Sequence, residues 1–328
     1  MNILIVLNDT RIPALLYGGT QRVMWYLGKE LSLMGHRVSF LAKKGSECPF
    51  ARVIAYNPAL PVANQIPDNI DIVHFNNGVP ELFSGKPYIV TFHGNAISNP
   101  IDRNAVFVSR NHAARFGSES FVYNGLDWSD YGTLNTTEPR SYFHFLGNAA
   151  WRVKNVRGCI SMIRKMPHER LYVLGGYRIN LKMGIRITLT PPCKVSFKGM
   201  VGGEKKMQYL QHSRGLLFPV LWDEPFGLAI TESLYCGSPV FGTCHGSLPE
   251  LVNSEVGFLS NHQVELIRHI RENYDYSPQL CHEYAGDLFN SKRMAIAYLK
   301  KYEQVLNGEC LNNTPPHPVN PFQKYSFD

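Results

Sequence analysis

Two glutamates, Glu224 and Glu232, lie in one segment with seven residues between them. Pro225 and Gly227 follow an apolar run, so we expect a helix with Pro225 in its first turn and a close backbone approach at Gly227. A helix start offers free N–H groups and a positive dipole end, which suit a diphosphate. A carboxylate accepts two hydroxyl protons at once, so each glutamate could hold a sugar or a ribose beside it. The alternative is a pair of solvated carboxylates on a helix face.

Strands alternate with helices in the first part of the chain. Each predicted strand is a nearly continuous apolar run, which indicates a parallel sheet covered on both faces. A helix from about Gln21 to Met34 carries apolar residues on one face, and Gly35 ends it. The predicted strands are Ile3–Leu7, Arg37–Ala42, Ile70–Phe75, Tyr88–Phe92 and Ala105–Ser109.

A second alternating series follows a polar, turn-prone stretch at residues 125–140, where we place the domain boundary. We predict an N-terminal domain over 1–130 and a C-terminal domain over 140–290. A final helix over 291–307 precedes a Pro-rich tail over 308–328. This helix could pack back toward the N-terminal domain. The predicted strands here are Tyr142–Leu146, Arg170–Leu174, Lys194–Phe197, Gly215–Phe218 and Pro239–Gly242, and the predicted helices begin at Asn155, Lys205, Leu228, Gln263 and Ser291. The fold class is therefore α/β, with two facing doubly wound parallel-sheet domains and a ligand site in the cleft between them.

The composition is that of a soluble globular protein, with 328 residues, 44% of them hydrophobic and 18% charged. The net charge of +7 suits an anionic ligand or an anionic membrane surface, while the lack of a long Lys/Arg run with interleaved aromatic residues argues against nucleic acid. The seven scattered cysteines form no CxxC pair, which argues against a disulfide framework and a zinc site. No apolar stretch approaches ~18 residues, and the N-terminus has no signal-peptide pattern, so we expect a cytoplasmic protein.

The segment Glu224-Pro-Phe-Gly-Leu…Glu232, followed by Cys236-Gly-Ser-Pro-Val and Gly246-Ser-Leu-Pro-Glu-Leu-Val, resembles family 4 of the retaining glycosyltransferases. Those enzymes have the GT-B fold, in which the active site lies in the cleft between two facing domains. Further motifs similar to the family's occur in the expected order over most of the chain. They are Gly18-Gly19-Thr20-Gln21-Arg22, Gly35-His36-Arg37-Val38, Thr91-Phe92-His93-Gly94, Asn124-Gly125-Leu126-Asp127, Phe145-Leu146-Gly147, Phe197-Lys198-Gly199 and Gly257-Phe258-Leu259.

The resemblance implies a role for each matched position. Glu224 would contact the donor sugar near the reacting carbon, and Glu232 would hold the ribose. Lys154 matches the family's phosphate-binding lysine, and His93 would lie beside the donor sugar. The other donor-binding positions that it implies are Gly18, Gly19, Val201, Phe226, Gly227 and Leu228.

Asn148 departs from the family's pattern. The family usually has an arginine directly after the Gly147 position, where it pairs with the lysine on the diphosphate. Asn148 keeps hydrogen bonding but lacks the charge. Arg152, a neighbouring position, is the candidate substitute.

Together these inferences predict a retaining, metal-independent transfer of a sugar from a UDP- or GDP-sugar to a glycan, a lipid-linked acceptor or another acceptor. No Asp-x-Asp motif occurs, so Lys154, the Gly18-Gly19 loop and the helix start would stabilise the diphosphate in place of a metal ion. No cofactor is expected, because the nucleotide-sugar is a substrate.

Two other functions stay open at this point. A nucleotide-sugar epimerase could use the same two-domain architecture. Because Asn148 lacks the charge of the family's arginine, a non-catalytic subunit that binds a nucleotide-sugar is a second alternative. The basic residues Arg22, Lys29, Lys43 and Lys44 could also bring the N-terminal domain to the inner face of a membrane. A solvated surface is the better supported reading of that patch.

Overall fold

The chain forms two compact units in the computed structural model, which describes residues 1–14, 18–80, 83, 85–95, 100–180, 186–187, 194–272, 274–320, 323 and 325–328. The N-terminal unit comprises Met1–Asp127 with Phe289–Pro321, and the C-terminal unit comprises Trp128–Leu288 with Phe322–Asp328. The polar stretch after Asp127 therefore belongs to the second unit. Aromatic packing ties the start of this stretch to the second unit, since the ring of Trp128 stacks on that of Tyr235 with centroids 4.1 Å apart.

The N-terminal unit is built on a six-stranded sheet of order β3-β2-β1-β4-β5-β6, in which every pairing is parallel. Helix α1 begins after Gly18 and buries Val23, Leu27 and Leu31. Gly35 follows its end with φ +86°, a conformation that glycine adopts without strain. The elements are β1 Asn2–Val6, α1 Gly19–Leu33, β2 Arg37–Ala42, β3 Arg52–Ala55, β4 Ile72–Asn76, β5 Tyr88–Phe92, β6 Ala105–Phe107 and α2 Arg110–Arg115.

The C-terminal unit repeats this plan, with a second all-parallel sheet of order β11-β8-β7-β12-β13-β14 and a separate antiparallel pair, β9-β10. Its strands are β7 Tyr142–Leu146, β8 Leu171–Leu174, β9 Ile179–Asn180, β10 Arg186–Ile187, β11 Val195–Phe197, β12 Ser213–Phe218, β13 Val240–Gly242 and β14 Gly257–Leu259. Its helices are α3 Val156–Lys165, α4 Gly203–Gln211, α5 Leu228–Tyr235, α6 Leu248–Leu251, α7 Gln263–Glu272 and α8 Pro278–Leu288.

Both sheets reverse their strand order at one point, between β1 and β4 and between β7 and β12. At such a point the loops that follow the two strands leave in opposite directions and open a crevice, where α/β proteins bind ligands. The predicted α/β class with two doubly wound parallel sheets is confirmed. Within the described residues, no helix has both the length and the apolar character needed to cross a membrane.

The last helix, α9 Ser291–Leu306, belongs to the N-terminal unit. Its side chains Tyr298 and Tyr302 are fully buried. The Tyr302 hydroxyl lies 2.8 Å from Nδ1 of His74, and the Tyr298 hydroxyl lies 2.9 Å from the Thr91 hydroxyl. The helix therefore completes the core on one face of the first sheet, although nearly the whole second unit precedes it in the sequence.

The tail after α9 is partly docked. Asn312 donates from its side chain to Arg103 O and Ala105 O, and the backbone N–H of Val319 donates to Arg115 O. Of the seven cysteines, the six that the structure describes are free thiols, and Cys193 lies outside the described residues.

One histidine in each sheet is fully buried, and both should make the protein sensitive to acid. His144 lies between the hydroxyls of Ser213 and Ser233, and His74 between those of Tyr302 and Thr91. Burial lowers the pKa of each from 6.5 to about 3. A depressed pKa means that the unfolded chain binds the proton first, so the stabilisation is complete above pH 6.5 and is lost as the pH falls toward 3.

We expect each of these histidines to lower the free energy of unfolding by about 2 kcal/mol between pH 6.5 and 5, at about 1.4 kcal/mol per pH unit. Thermal unfolding of His144→Gln at pH 7, 6 and 5 measures this, since glutamine hydrogen-bonds but does not titrate there. The variant should lose less stability on acidification than the parent. His262→Gln, at an exposed site in the same unit, is the control. Parallel curves for all three proteins would contradict the prediction.

Candidate functional site

Glu224 lies in the loop that joins β12 to α5, at the crevice of the C-terminal sheet. Gly227, with φ +91°, is the N-cap of α5, and the helix begins at Leu228. Pro225 precedes the helix, so the prediction that it occupies the first helical turn is wrong. The left-handed turn at Gly227 lets the loop enter the helix, and it leaves both Glu224 and Phe226 buried.

A neighbouring loop fixes the position of Glu224. Ser247, which follows β13, donates from its backbone N–H to Glu224 O at 2.9 Å and from its hydroxyl to Phe226 O at 2.7 Å. Gly246 lies so close that a Cβ atom there would be 2.2 Å from the backbone nitrogen of Glu224. The loops after β12 and β13 are therefore in backbone contact at the glutamate.

Lys154 forms an ion pair with Glu224, with 2.6 Å between Nζ and Oε2. Both side chains are buried, and Trp222 also donates from Nε1 to Oε2 at 2.8 Å. The ammonium lies 5.0 Å from the ring centroid of Trp222 and 5.3 Å from that of Phe218, which adds cation–π attraction.

Two contacts tie the loop after β7, which carries Lys154, to the loop after β12. Asn155 donates from its side chain to Pro219 O at 2.9 Å, and the backbone N–H of Leu221 donates to Val153 O at 2.7 Å. These bonds span the point where the strand order reverses, because β7 pairs directly with β12. The two charged residues thus meet because their strands are neighbours in the sheet.

This arrangement leaves capacity for a ligand. Among the described residues, the second carboxylate oxygen of Glu224, Oε1, has no hydrogen-bond partner, whereas Oε2 has two. An ammonium group has three N–H donors, and the bond to Glu224 uses one. The pair could therefore accept from hydroxyl groups and donate to anionic oxygens at the same time.

Glu232 lies on α5 in a second buried cluster. Its Oε1 accepts from Lys206 Nζ at 2.5 Å and also from the hydroxyl of Tyr131. Lys206 projects from α4, and only 8% of it is exposed. Sequence reasoning missed Lys206 and Tyr131, because a lysine next to Lys205 on a helix carries no signal that separates it from a solvated neighbour.

Two other predicted donor-binding residues of this unit, Asn148 and Val201, make contacts elsewhere. Asn148 accepts from the backbone N–H of Ala150 at 3.0 Å and so stabilises the turn after β7. Val201 packs against a small cluster that contains Leu174, Leu210 and Cys236. The structure therefore does not bring Asn148 or Val201 into the ion pair of Lys154 and Glu224.

Arg152 is exposed and lines a pocket of about 310 Å³ with Trp151, Arg157, Tyr177 and Arg178. Lys154 and Glu224 are not among the lining residues of this pocket. In this structure, Arg152 therefore does not take the place beside Lys154 that a substitute for the missing arginine would need.

The N-terminal unit has its own crevice, at the ends of β1 and β4. Gly18 and Gly19 line a pocket of about 520 Å³ there, together with Asn8, Asn76 and Asn77. His93 adjoins it, because its Nε2 lies 2.8 Å from Asn76 Oδ1. Gly18, Gly19 and His93 thus gather at one edge of the first sheet.

His93 is neutral at ordinary pH. Burial lowers its pKa to about 4. The amide of Asn76 donates to Val6 O, which turns its Oδ1 toward the imidazole and assigns the proton to Nε2. Nδ1 is then a hydrogen-bond acceptor, so the neutral His93 can receive a bond from a hydroxyl.

Lys29 and Lys43 of the predicted basic patch are paired with carboxylates. Lys29 lies 2.5 Å from Asp127, and Lys43 lies 3.2 Å from Asp9. These pairs reduce the charge available for a membrane surface. Within the described part of the chain, no group of three or more His, Cys, Asp or Glu side chains is placed to hold a metal ion.

Residues 140–275 match the family model described as glycosyl transferases group 1, and this segment contains Lys154, Glu224 and Glu232. Among curated proteins, sucrose synthase 2 of Tulipa gesneriana is 40% identical over 45 residues, or 14% of this chain. The chain spans only 6% of that enzyme's length.

Solved structures resemble the fold over nearly the whole chain. AviGT4, a glycosyltransferase involved in avilamycin A biosynthesis, has a TM-score of 0.74 and 20% identity, with 94% of this chain and 98% of that chain covered. Anabaena HepE, solved in complex with UDP and glucose, has a TM-score of 0.63 and 13% identity, with 93% and 100% covered. At these identities the likeness concerns the fold, and the GT-B class is confirmed.

Proposed function

We propose that this chain, whose residues 140–275 match the family model described as glycosyl transferases group 1, transfers a sugar from a nucleotide-diphosphate donor to an acceptor. The observation that carries the proposal is the buried ion pair of Lys154 and Glu224 beside the start of α5. It lies at the crevice of the matched segment, where the ammonium of Lys154 could bind a diphosphate and the carboxylate of Glu224 could bind sugar hydroxyls.

Breaking the bond between sugar and phosphate produces two opposite charges. The leaving nucleoside diphosphate is anionic, and fixed donors aimed at it lower the barrier. The two remaining N–H donors of Lys154 and the positive end of α5 are such donors. The sugar becomes an oxocarbenium-like cation, for which the nearby carboxylate of Glu224 supplies a negative charge and an acceptor for hydroxyl groups.

The donor in this proposal is a UDP- or GDP-sugar. The complex of HepE with UDP and glucose supports a nucleotide in this fold. We propose Phe226, Gly227 and Leu228 for the sugar and phosphate, and Glu232 for the ribose. A ribose on Glu232 would have to share that carboxylate with Lys206 or displace it.

We further propose that transfer retains the configuration of the donor sugar and needs no metal ion, with a glycan or lipid-linked acceptor. Lys154 and the helix dipole supply positive charge where other enzymes use a cation. We also propose that Gly18, Gly19 and His93 bind the donor, and this assignment rests only on the resemblance of their motifs to those of the family. The neutral His93 would accept a bond from a sugar hydroxyl at Nδ1.

Release of UDP or GDP from a panel of nucleotide-sugars, with and without EDTA, tests the proposal. The parent protein should release nucleoside diphosphate equally in both conditions. Glu224→Gln keeps the shape but removes the charge, so we expect turnover to fall about 10²–10³-fold, as it does when one electrostatic group of an active site is removed. Glu255→Gln, at an exposed site in the same unit, should leave turnover unchanged.

The same assay separates the alternatives. An isomerised sugar still attached to its nucleotide would identify an epimerase. Thermal stabilisation by UDP or GDP without any turnover would identify a binding subunit, since a ligand that binds only the folded form raises its stability. Near-normal turnover in Glu224→Gln would overturn the assignment of Glu224.

A further inference from the structure

The end of the tail contacts the candidate site. Residues 289–321 belong to the N-terminal unit, but Phe322–Asp328 belong to the C-terminal unit. The hydroxyl of Tyr325 lies 3.0 and 3.1 Å from the two carboxylate oxygens of Asp223. Its ring stacks on His245, with centroids 3.7 Å apart and an angle of 11° between the planes.

Asp223 and His245 adjoin the residues that hold Glu224. Asp223 directly precedes it on the loop after β12, and His245 directly precedes Gly246 and Ser247 on the loop after β13. Tyr325 therefore contacts both loops at the place where their backbones meet. Only 8% of His245 is exposed, its Nε2 has no hydrogen-bond partner among the described residues, and its ring is packed against that of Tyr325.

We propose that Tyr325 is a positioning residue, through which the C-terminal tail holds the loops after β12 and β13 together and so fixes Glu224 for transfer. The proposal rests on the proposed function. It adds a residue that lies outside the matched segment 140–275. A hydroxyl bond to a carboxylate is charge-assisted and is therefore stronger than a hydrogen bond between two neutral groups.

The tail has other anchors, so the contribution of Tyr325 can be isolated. Phe327 packs against the hydrophobic core that includes Phe143 and Phe145, and the backbone N–H of Gln263 donates to Asp328 O at 2.7 Å. Tyr325→Phe should therefore leave the tail docked and the ring stacked on His245. It removes the hydroxyl that bonds Asp223.

We expect Tyr325→Phe to lower kcat about tenfold and the unfolding temperature by a few degrees, with the donor KM nearly unchanged, since one charge-assisted hydrogen bond is lost. In the Asp223→Asn background the same substitution should have little further effect, because the two groups act through one bond. Ser326→Ala, which removes a hydroxyl from the neighbouring tail residue, should leave kcat unchanged.

Hydrogen exchange gives a readout that does not need turnover. Tyr325→Phe should speed amide exchange at residues 219–227 and 243–248, including the N–H of Ser247, and leave that of β7 and β8 as in the parent. Unchanged exchange in the two loops overturns the proposal, and so does faster exchange with unchanged kcat. If the parent itself turns over no donor, the proposed function fails, while exchange still decides whether Tyr325 fixes the loops.

Discussion

Replacing Glu224 alone by leucine or Lys154 alone by methionine should lower the free energy of unfolding of the C-terminal unit by about 3–5 kcal/mol, because each change leaves an uncompensated buried charge. The double variant Lys154→Met/Glu224→Leu should be about as stable as the parent. Two apolar side chains of similar volume avoid the desolvation of both charges, and that saving offsets the lost attraction. All three variants should lack activity.

Chemical denaturation of the four proteins completes a double-mutant cycle, which isolates the energy of the pair. The exposed pair of Lys43 and Asp9 is the control, and Lys43→Ala should change stability by less than about 1 kcal/mol. Additive losses in the double variant would contradict the prediction. They would mean that Lys154 and Glu224 are stabilised separately and not by each other.

Gly246→Ala should have the second large effect, on stability and on activity together. Its Cβ would lie 2.2 Å from the nitrogen and 2.5 Å from the oxygen of the Glu224 backbone, which cannot rotate away as a side chain would. We expect a loss of about 2–4 kcal/mol, which combines overpacking with the strain of a left-handed alanine at φ +63°. Donor turnover should fall sharply because Glu224 is displaced.

Gly132→Ala is the matched control for this substitution. Gly132 belongs to the same unit, has φ +67°, and has open space where its Cβ would lie. It should show only the backbone strain, about 1–2 kcal/mol, with turnover preserved. Equal losses of unfolding free energy in the two variants would show that the close contact of Gly246 with the Glu224 backbone does not affect stability.

The sequence predicted the sheet strands best where both faces are buried. Tyr88–Phe92 and Tyr142–Leu146 have the bounds expected from their apolar runs, and the final helix, expected over 291–307, spans Ser291–Leu306. The edge strand Arg52–Ala55 was not predicted, because it is four residues long and only partly buried. Short edge strands carry little of the apolar pattern on which such predictions rest.

The candidate site was predicted only as separate residues. Glu224 and Lys154 were both singled out, but their pairing depends on β7 lying beside β12, which local sequence patterns do not specify. Glu232 was expected to face a ribose, and its contacts with Lys206 and Tyr131 come from elements far apart in the chain. Tyr325 lies in the Pro-rich tail, and its composition does not indicate a contact with the site.

The return of α9 to the first sheet has a consequence for how the protein is made. As the chain leaves the ribosome, His74 and Thr91 emerge more than two hundred residues before Tyr302 and Tyr298, their partners in the finished core. The N-terminal unit therefore cannot complete its interior until residues Trp128–Leu288 of the C-terminal unit have been synthesised. We expect the nascent N-terminal half to be the part that depends most on chaperones.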